Sequence, residues 1–533
     1  IVVQNRYDRT NWHTNNYIKY SKNISGDHQL NVAAGFSMQD VQSSGSTVFV
    51  EDLGLPFQHT SGQSNKAERV AALLSNYRFA SFYANAGYTF KNKYIVNATV
   101  RADGSSRFGE NNMMGVFPAA GLGWIVSEED FLSGISAISF AKIRASYGIT
   151  GNANIGNYSR YSLSVPGYYD SPSYRSNGWY HYGDWLGYVP VNIANPDLQW
   201  EQVSQLDFGI DIGLVDNRIS ASIDYFMKTT DNLLTYVPLS SLAGYENPFQ
   251  LVNNGSLTNT GIEVTINTLN VNTSSGFRWN SQLNITTLSN TIDELPENVG
   301  GMTGMYNIAT TGEAVATYFL PEWAGIDPET GHEMIYSIET GEAIDAEVLT
   351  DEEFLSHRKV MSDKTLFPTL YGGLTNTLAF KGVELSFMFY MQSGNYMLDL
   401  GRRSMNYIGP GSTGSTELLD GWTKENPTDV PLLWNSVMAN RATDRFLDDA
   451  GFVRLRHVSL AYNLPSDWIS RIGMSHAKIY IGGHNLLTFT DYQGFDPETW
   501  LTTYDSMNML NGGYVGFNPP QTRTVMAGID IRF

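Results

Sequence analysis

The chain contains no cysteine among its 533 residues. This absence excludes a disulfide framework, a thiolate metal site and a cysteine nucleophile. The sequence also contains no run of about 18 consecutive apolar residues, so it predicts no membrane-spanning helix. Basic residues are few, with 33 Lys and Arg against 53 Asp and Glu and a formal net charge of −20. A nucleic-acid partner is therefore not expected, because phosphate binding depends on Lys and Arg.

Sequence motifs that carry catalysis are missing as well. Neither a nucleophile elbow, nor a phosphate-binding loop, nor a dinucleotide fingerprint stands out. The nine His residues have no metal-ligand spacing; they are His13, His28, His59, His181, His332, His357, His457, His476 and His484. The sequence therefore predicts no enzyme, no cofactor and no metal site.

Aromatic residues, in contrast, are abundant. They make up 13% of the chain and include 31 Tyr and 11 Trp. This content suits the two aromatic girdles of a transmembrane β-barrel. The mean hydropathy of −0.24 is that of a soluble protein. A barrel gives such a value because only every second residue of a strand faces lipid.

Alternation of apolar and polar residues is the strongest local pattern, and it recurs about fifteen times with turn residues between. In residues 205–214, the apolar side chains are Leu206, Phe208, Ile210, Ile212 and Leu214, and the polar side chains include Gln205, Asp207 and Asp211. In the last segment, Ile529, Ile531 and Phe533 alternate with Asp530 and Arg532. A slip of one residue would place Arg532 in lipid, at a cost of roughly 2 to 4 kcal/mol at mid-bilayer. The apolar set is therefore predicted to face lipid.

Predicted strands and their connections follow a regular scheme. Strands are predicted at residues 14–23, 29–37, 78–90, 94–102, 116–126, 137–149, 200–213, 218–235, 256–269, 276–288, 368–380, 383–394, 452–463, 476–489 and 522–533. Short and long connections alternate, and the longest are 38–77, 150–199, 289–367, 395–451 and 490–521. Transmembrane barrels have short periplasmic turns and long extracellular loops. The long connections are therefore predicted to be extracellular.

About fifteen strands do not close a bacterial barrel, which needs an even number. Plugged outer-membrane transporters have about 22 strands. We therefore expect about seven further strands beside the first and last predicted strands, 14–23 and 522–533. The chain begins at Ile1 without Met or a signal peptide, so we expect a processed start or a piece of a longer protein.

Four stretches carry a family resemblance. They are 100–124 (VRADGSSRFGENNMMGVFPAAGLGW), 195–200 (NPDLQW), 452–465 (FVRLRHVSLAYNLP) and 483–499 (GHNLLTFTDYQGFDPET). Together they resemble the SusC-like TonB-dependent transporters of the Bacteroidota outer membrane. A terminal aromatic residue such as Phe533 is also common in outer-membrane barrels. The sequence departs from the family at His484, where the family more often has Gln.

The resemblance implies an all-β transmembrane antiparallel barrel in the cell outer membrane, of which residues 1–533 are the C-terminal two thirds. It implies active import of a nutrient such as an oligosaccharide or oligopeptide. In the family, a SusD-like lipoprotein closes over the barrel as a lid, and the TonB complex supplies energy through an N-terminal plug. Neither a plug domain nor a TonB box is found in this chain.

Two other functions stay open. One is a passive or structural outer-membrane barrel without TonB gating, which the presence of a plug and a TonB box would exclude. The other is a soluble β-rich glycan-binding protein or hydrolase. The apolar side chains of residues 206–214 speak against a soluble protein.

The motif residues have local structural interpretations. Residues 103–106 are predicted to form a turn at the end of a strand. Arg101 and Arg107 would then be available to pair with lumen carboxylates. Trp200 is predicted to lie at a membrane interface, where Trp is enriched.

Acidic clusters offer two interpretations each. Asp327 with Glu329, and Asp496 with Glu498, could hold calcium or belong to solvated loops; neither pair has the full EF-hand spacing. The acidic run at 345–353 is either a solvated surface or the complement of a basic partner.

Residues 158–188 (YSRYSLSVPGYYDSPSYRSNGWYHYGDWLGY) are the best functional candidate. Dense aromatic rings on an extracellular loop offer flat faces to sugar rings or peptide side chains. Alternatively, the rings pack on each other and on the lid protein. The candidate substrate- or lid-contacting residues are Tyr168, Tyr169, Trp179, Tyr180, Tyr182 and Trp185.

Overall fold

One antiparallel sheet of fifteen strands dominates the structure, and its strand order follows the chain from β1 to β15. The strands are β1 Val2–Asn23, β2 His28–Val50, β3 Ala67–Phe90, β4 Tyr94–Ser105, β5 Met114–Ile125, β6 Ile138–Asn152, β7 Glu201–Leu214, β8 Ile219–Asp231, β9 Ser256–Asn272, β10 Arg278–Glu294, β11 Leu370–Phe380, β12 Val383–Ser393, β13 Phe452–Asn463, β14 His476–Thr490 and β15 Thr524–Arg532. This computed structural model describes residues 2–50, 67–166, 181–182, 185–186, 188–190, 192–240, 242, 249–296, 302–407, 413–433, 437–499 and 512–533.

Each of the fifteen predicted strands corresponds to one strand of this sheet, so the predicted all-β class is confirmed. The predicted boundaries of the first three strands are wrong, because β1, β2 and β3 contain 22, 23 and 24 residues. Most of the predicted loop 38–77 is therefore strand, with β2 and β3 paired from His28↔Phe90 to Val50↔Ala67. A predicted strand at 218–235 is also too long, since Asn232 takes a positive φ of 56° directly after β8.

The alternation of side chains matches the sequence pattern. On one side of β7, Phe208 and Ile210 are 51% and 44% exposed, and on β15 Val525 and Ile529 are 71% and 65% exposed. We call this side the apolar face. On the other side, the polar face, the Asp207 carboxylate accepts a hydrogen bond from Ser146 Oγ at 3.1 Å. The predicted register is therefore the one observed.

Short turns between neighbouring strands use left-handed backbone conformations. Residues 91–93 join β3 to β4, with φ of 51° at Lys91 and 54° at Asn92, and Lys381 and Gly382 join β11 to β12 with φ of 46° and 90°. Two consecutive positive φ values match the right-handed twist of the flanking strands, which makes these turns tight.

The chain divides into two compact units, and the first consists of Ile1–Ile125, Arg144–Asp207 and Lys228–Ser256. Its main apolar core contains Phe108, Phe117, Ile155, Leu198 and Trp200. Shorter strands of this unit are Ser164–Pro166, His181–Tyr182, Trp185–Leu186, Tyr188–Pro190, Leu234–Pro238 and Phe249–Asn253. They lie outside the large sheet, where they form two-stranded ribbons.

The second unit consists of Val126–Ile143, Phe208–Met227 and Leu257–Phe533. The long connections after β10, β12 and β14 fold into small sheets around several apolar cores, one of which is centred on Tyr318, Leu320 and Leu398. Its short strands are Met302–Thr303, Asn307–Ala309, Thr317–Pro321, Trp323–Ile326, Glu333–Tyr336, Ala343–Asp345, Arg358–Thr365, Tyr396–Asp399, Leu447–Asp449 and Tyr514–Val515. Its α-helices are Asp351–Ser356, Leu400–Asn406 and Ser466–Ile469, and its 3-10 turns are Val126–Glu128, Thr416–Asp420, Met438–Asn440, Asp444–Phe446 and Ser470–Ile472.

No helix in the described part of the chain is long and apolar enough to cross a membrane.

Candidate functional site

The two motifs around residues 103–109 and 195–200 form one packed joint in the first unit. The Phe108 ring is fully buried, with its centroid 4.6 Å from the Trp200 ring. The Gly109 N–H donates to the Leu198 carbonyl at 2.8 Å. The Trp200 indole N–H donates to the Met113 carbonyl at 3.1 Å. These contacts fix the base of the long connection between β6 and β7.

The predicted membrane-interface position of Trp200 is wrong. Its side chain is only 5% exposed and lies between Phe108 and Phe117. A Trp at the start of a strand suits either a membrane interface or a protein core. Here the indole ring is buried against two other aromatic rings, which gives it more apolar contact than an interface position would.

The predicted turn at 103–106 is also largely wrong, because β4 continues through Ser105. Arg101 does pair with a carboxylate, but that carboxylate belongs to Asp103 of the same strand, at 2.7 Å. Arg107 instead stacks over the Tyr77 ring at 4.0 Å and donates from Nε to the Asn157 carboxamide at 2.7 Å. Burial lowers the pKa of Arg107, and the charge of Tyr77 opposes that shift. Arg107 therefore anchors the chain that leads into residues 158–188, which we call the aromatic loop.

Of the aromatic candidates themselves, Tyr168, Tyr169, Trp179 and Tyr180 lie outside the described residues, as do the side chains of Tyr182 and Trp185. The backbone pairs His181–Tyr182 with Trp185–Leu186 in antiparallel fashion. Their role stays a prediction.

Asn192 bridges the two ends of this loop at its described base. Asn192 donates from Nδ2 to the Tyr161 carbonyl at 2.7 Å, and its Oδ1 accepts the Leu163 N–H at 3.0 Å. The backbone of Ser164–Pro166 then pairs with Tyr188–Pro190. The two ends of the loop are therefore tied together next to the Arg160 guanidinium, which stacks on the Tyr161 ring at 4.4 Å.

Each unit has a cavity on its polar face. In the first, a cavity of about 390 Å³ is lined by residues that include Asn97, Gln205 and Asp207. In the second, a cavity of about 300 Å³ is lined by residues that include Arg218 and Gln282. Amide, carboxylate and guanidinium groups of this kind offer hydrogen bonds to a hydrated polar solute.

A buried ion network in the second unit joins β13 to residues 496–499 (DPET), which we call the DPET segment. Arg454 and Asp496 are 1% and 6% exposed and lie 2.7 Å apart, N to O. Glu498 accepts from Arg454 at 2.8 Å and from Arg456 at 2.6 Å. Both readings of this acidic pair, a calcium site or a solvated loop, are therefore wrong, since the carboxylates are matched by guanidinium groups.

The acidic region at 327–353 is only partly solvated. Asp327 accepts the Glu329 N–H at 2.8 Å, and this bond lowers the pKa of Asp327. His332 Nδ1 lies 2.8 Å from the Asp345 carboxylate, which raises the pKa of His332. Asp345 is therefore not a free surface charge as the solvated interpretation held.

Glu333 is a further buried carboxylate that sequence reasoning missed. It is fully buried, receives a hydrogen bond from the Tyr407 hydroxyl, and lies 3.3 Å from Arg445. Burial raises the pKa of Glu333, whereas Arg445 and the Tyr407 bond oppose that shift. No local pattern around Glu333 predicts its burial, because its partners Tyr407 and Arg445 are 74 and 112 residues away in the chain.

Two His residues also meet where spacing did not predict it. The ring centroids of His457 on β13 and His484 on β14 lie 4.8 Å apart. In the described part of the chain, no group of three or more His, Asp or Glu residues is arranged to hold a metal ion.

Comparison with known proteins decides the family. Residues 2–327 match the family described as TonB dependent receptor-like, beta-barrel. The chain belongs to that family. TonB-dependent receptor P3 of Formosa agariphila is 30% identical over 546 residues, covering 98% of this chain and 52% of that protein. TonB-dependent receptor SusC of Bacteroides thetaiotaomicron is 26% identical over 549 residues, covering 100% of this chain and 50% of that protein.

Among solved structures, this TonB-dependent receptor chain is similar to the RagAB peptide transporter. The two are 25% identical with a TM-score of 0.84, and the alignment covers 100% of this chain and 56% of that one. The chain spans about half the length of the relatives it matches. Family membership confirms the predicted SusC-like β-barrel class, the outer-membrane location and the expectation that the chain is not an enzyme.

Proposed function

We propose that this chain is part of an outer-membrane importer that takes up an oligosaccharide or an oligopeptide. A SusD-like lipoprotein covers it on the extracellular side, and the TonB complex energises it through a plug. The observation that carries this proposal is similarity along the whole chain to both SusC and the RagAB peptide transporter.

The polar face supports passage of a hydrated solute. Its cavities present amides and carboxylates, and Ser222 Oγ lies 2.9 Å from the Asp211 carboxylate and 3.0 Å from the Asp224 carboxylate, within hydrogen-bond distance of each. Such groups exchange hydrogen bonds with a polar substrate without the cost of an unpaired buried group.

The connection between β6 and β7 is the proposed capture element. Its base is rigid, because Asn192, Arg107 and the Phe108–Trp200 contact tie both ends to the first unit. Binding residues are commonly carried by loops that a rigid scaffold positions. The aromatic candidates Tyr168, Tyr169, Trp179, Tyr180, Tyr182 and Trp185 would then contact the substrate or the lipoprotein lid.

Uptake by whole cells tests the proposal. A strain lacking the protein is supplied with labelled oligopeptides in one culture and labelled oligosaccharides in another, and each is compared with the complemented strain. We expect one class of substrate to enter only in the complemented strain, and only when TonB is present.

Two other results carry different meanings. Uptake that persists without TonB identifies the rival, a passive barrel. If the complemented strain gains neither substrate class, the import proposal is overturned. Co-purification of a lipoprotein from solubilised outer membranes tests the lid separately, with the strain lacking the chain as the control.

A further inference from the structure

His457 and His484 form a cross-strand pair on the polar face of the second unit. They are direct partners in the β13 and β14 register, and their ring centroids are 4.8 Å apart at an interplanar angle of 39°. The apolar face of the same strands is marked by Leu460 and Ile481, which are 47% and 53% exposed. Both His residues are an odd number of positions from these side chains, which places them on the opposite side of the strands.

A β-bulge holds the pair in place. Between the Leu455↔Leu487 pair and the His457↔His484 pair, β13 has one intervening residue and β14 has two. Asn485 takes a positive φ of 53° to accommodate the extra residue. Bulges of this kind re-aim side chains and are frequent next to functional sites.

The pair also has a ring nitrogen that is free to act as a metal ligand. The His457 Nδ1 atom is buried and makes no hydrogen bond within the described structure. Both side chains remain partly exposed, so a small ion can reach them from the polar face. The neighbouring cation Arg456 is neutralised, since it pairs with Glu498 at 2.6 Å.

We propose that His457 and His484 form a binding site for a divalent transition-metal cation. Neutral imidazole nitrogens suit Cu²⁺, Ni²⁺ and Zn²⁺, and Cu²⁺ binds such donors most tightly. With metal–nitrogen bonds of about 2.0 to 2.1 Å, two imidazoles at square-planar or tetrahedral angles have centroids about 4.5 to 5.2 Å apart. The observed separation of 4.8 Å lies in that range. Two protein ligands leave the other positions to water, so the ion is exchangeable.

Titration with Cu²⁺ tests the site. The whole protein is purified in detergent, freed of any affinity tag and treated with chelator, and electron paramagnetic resonance follows the added Cu²⁺. The variants are His457→Ala, His484→Gln and the double variant, and the matched control is His476→Ala, on β14 but outside the pair. Removing a group that only supports a ligand costs about 10- to 100-fold in metal affinity, so each single variant should weaken Cu²⁺ binding at least about tenfold.

The spectrum supplies a second criterion. We expect wild-type protein and His476→Ala to bind one Cu²⁺ that the double variant does not bind, with coupling to two nitrogens. Equal Cu²⁺ binding by wild type and the double variant would overturn the proposal. If His457→Ala does not fold, His484→Gln and the wild-type spectrum decide, because coupling to fewer than two nitrogens contradicts a two-imidazole site.

Discussion

The Pro196 carbonyl oxygen lies 1.9 Å from the point that a Cβ on Gly109 would occupy. No side chain fits between these two residues, so glycine is required where the two motifs meet. The joint is made by backbone proximity as much as by the rings of Phe108 and Trp200.

Gly109→Ala should therefore destabilise the folded barrel. Overpacking of a well-packed site costs typically about 1 to 3 kcal/mol, and here the neighbour is backbone that cannot rotate away. The measurement is the midpoint of heat unfolding, followed by electrophoretic mobility of the purified protein. Gly134→Ala is the control, because nothing lies within 4 Å of its added Cβ. Identical midpoints for the two variants would contradict the close approach.

Arg454→Met should loosen the DPET segment. It leaves the buried Asp496 without its guanidinium partner and leaves Glu498 with Arg456 alone. Removal of one member of a buried ion pair typically costs about 3 to 5 kcal/mol. Denaturant unfolding of the purified protein measures the loss. Arg6→Met is the control, since Arg6 and Asp8 form an exposed pair with side chains 78% and 60% accessible. We expect no measurable change for the control, and a similarly small effect of Arg454→Met would refute the network.

The register of β7 predicts opposite outcomes for two Arg substitutions. Phe208→Arg places a charge on the apolar face, at a cost of roughly 2 to 4 kcal/mol near the bilayer midplane. Gln205→Arg places the same charge on the polar face and should be tolerated. The fraction of each variant inserted in the outer membrane is the readout. Equal insertion of the two variants would show that the faces are assigned wrongly.

Stability of the 327–353 region should depend on pH through His332. Its pKa is raised above the ordinary 6.5, mainly by the hydrogen bond to Asp345. A raised folded-state pKa gives stability that is complete below pH 6.5 and is lost as the pH rises through the folded-state pKa. Limited proteolysis of this region should therefore be faster at alkaline pH than near pH 6. In Asp345→Asn the pH dependence of the proteolysis rate should be smaller. An unchanged pH dependence would show that a group other than His332 causes it.

The aromatic loop should act in capture. Replacing Trp179, Tyr180 and Trp185 together by Ala should weaken uptake or lid association, because each buried aromatic contact typically contributes about 0.5 to 1.5 kcal/mol beyond its area. Growth on the imported nutrient and pull-down of the lipoprotein are measured at matched barrel abundance. The control is Trp468→Ala, a Trp 63% exposed on the short connection between β13 and β14. Wild-type behaviour in both assays would mean that the rings only pack the loop.

The sequence predicts strands well where one face of the strand contacts lipid. Apolar and polar side chains must alternate there, because successive residues point to opposite faces. The bounds of β13, Phe452–Asn463, are the predicted ones. Alternation fades in segments such as 42–46 (QSSGS) of β2, where both faces are polar, so these were predicted as loop. Strand pairing in such segments depends on the neighbouring strand, which a single-strand pattern does not contain.

The side-chain contacts of the sites were largely not predictable. The pairs Arg454 with Asp496 and His457 with His484 join residues that are distant in sequence. Their meeting depends on strand order and on a bulge, and neither leaves a local signal. Trp200 shows the same limit, because its residue type suits a membrane interface and a core equally.

The length of the first three strands has a consequence for how the sheet is aligned. Strands of 22 to 24 residues are roughly 70 to 80 Å long at about 3.3 Å per residue, whereas the apolar band of a barrel is about 25 Å tall. Both faces of much of each strand therefore contact water and not lipid. A strand segment with two polar faces has little preference among alternative pairing registers. The residues of the same strands that face lipid do prefer one register, because a slip of one residue would turn their apolar side chains to the other face. The bilayer thus sets the alignment of strand segments that never touch it.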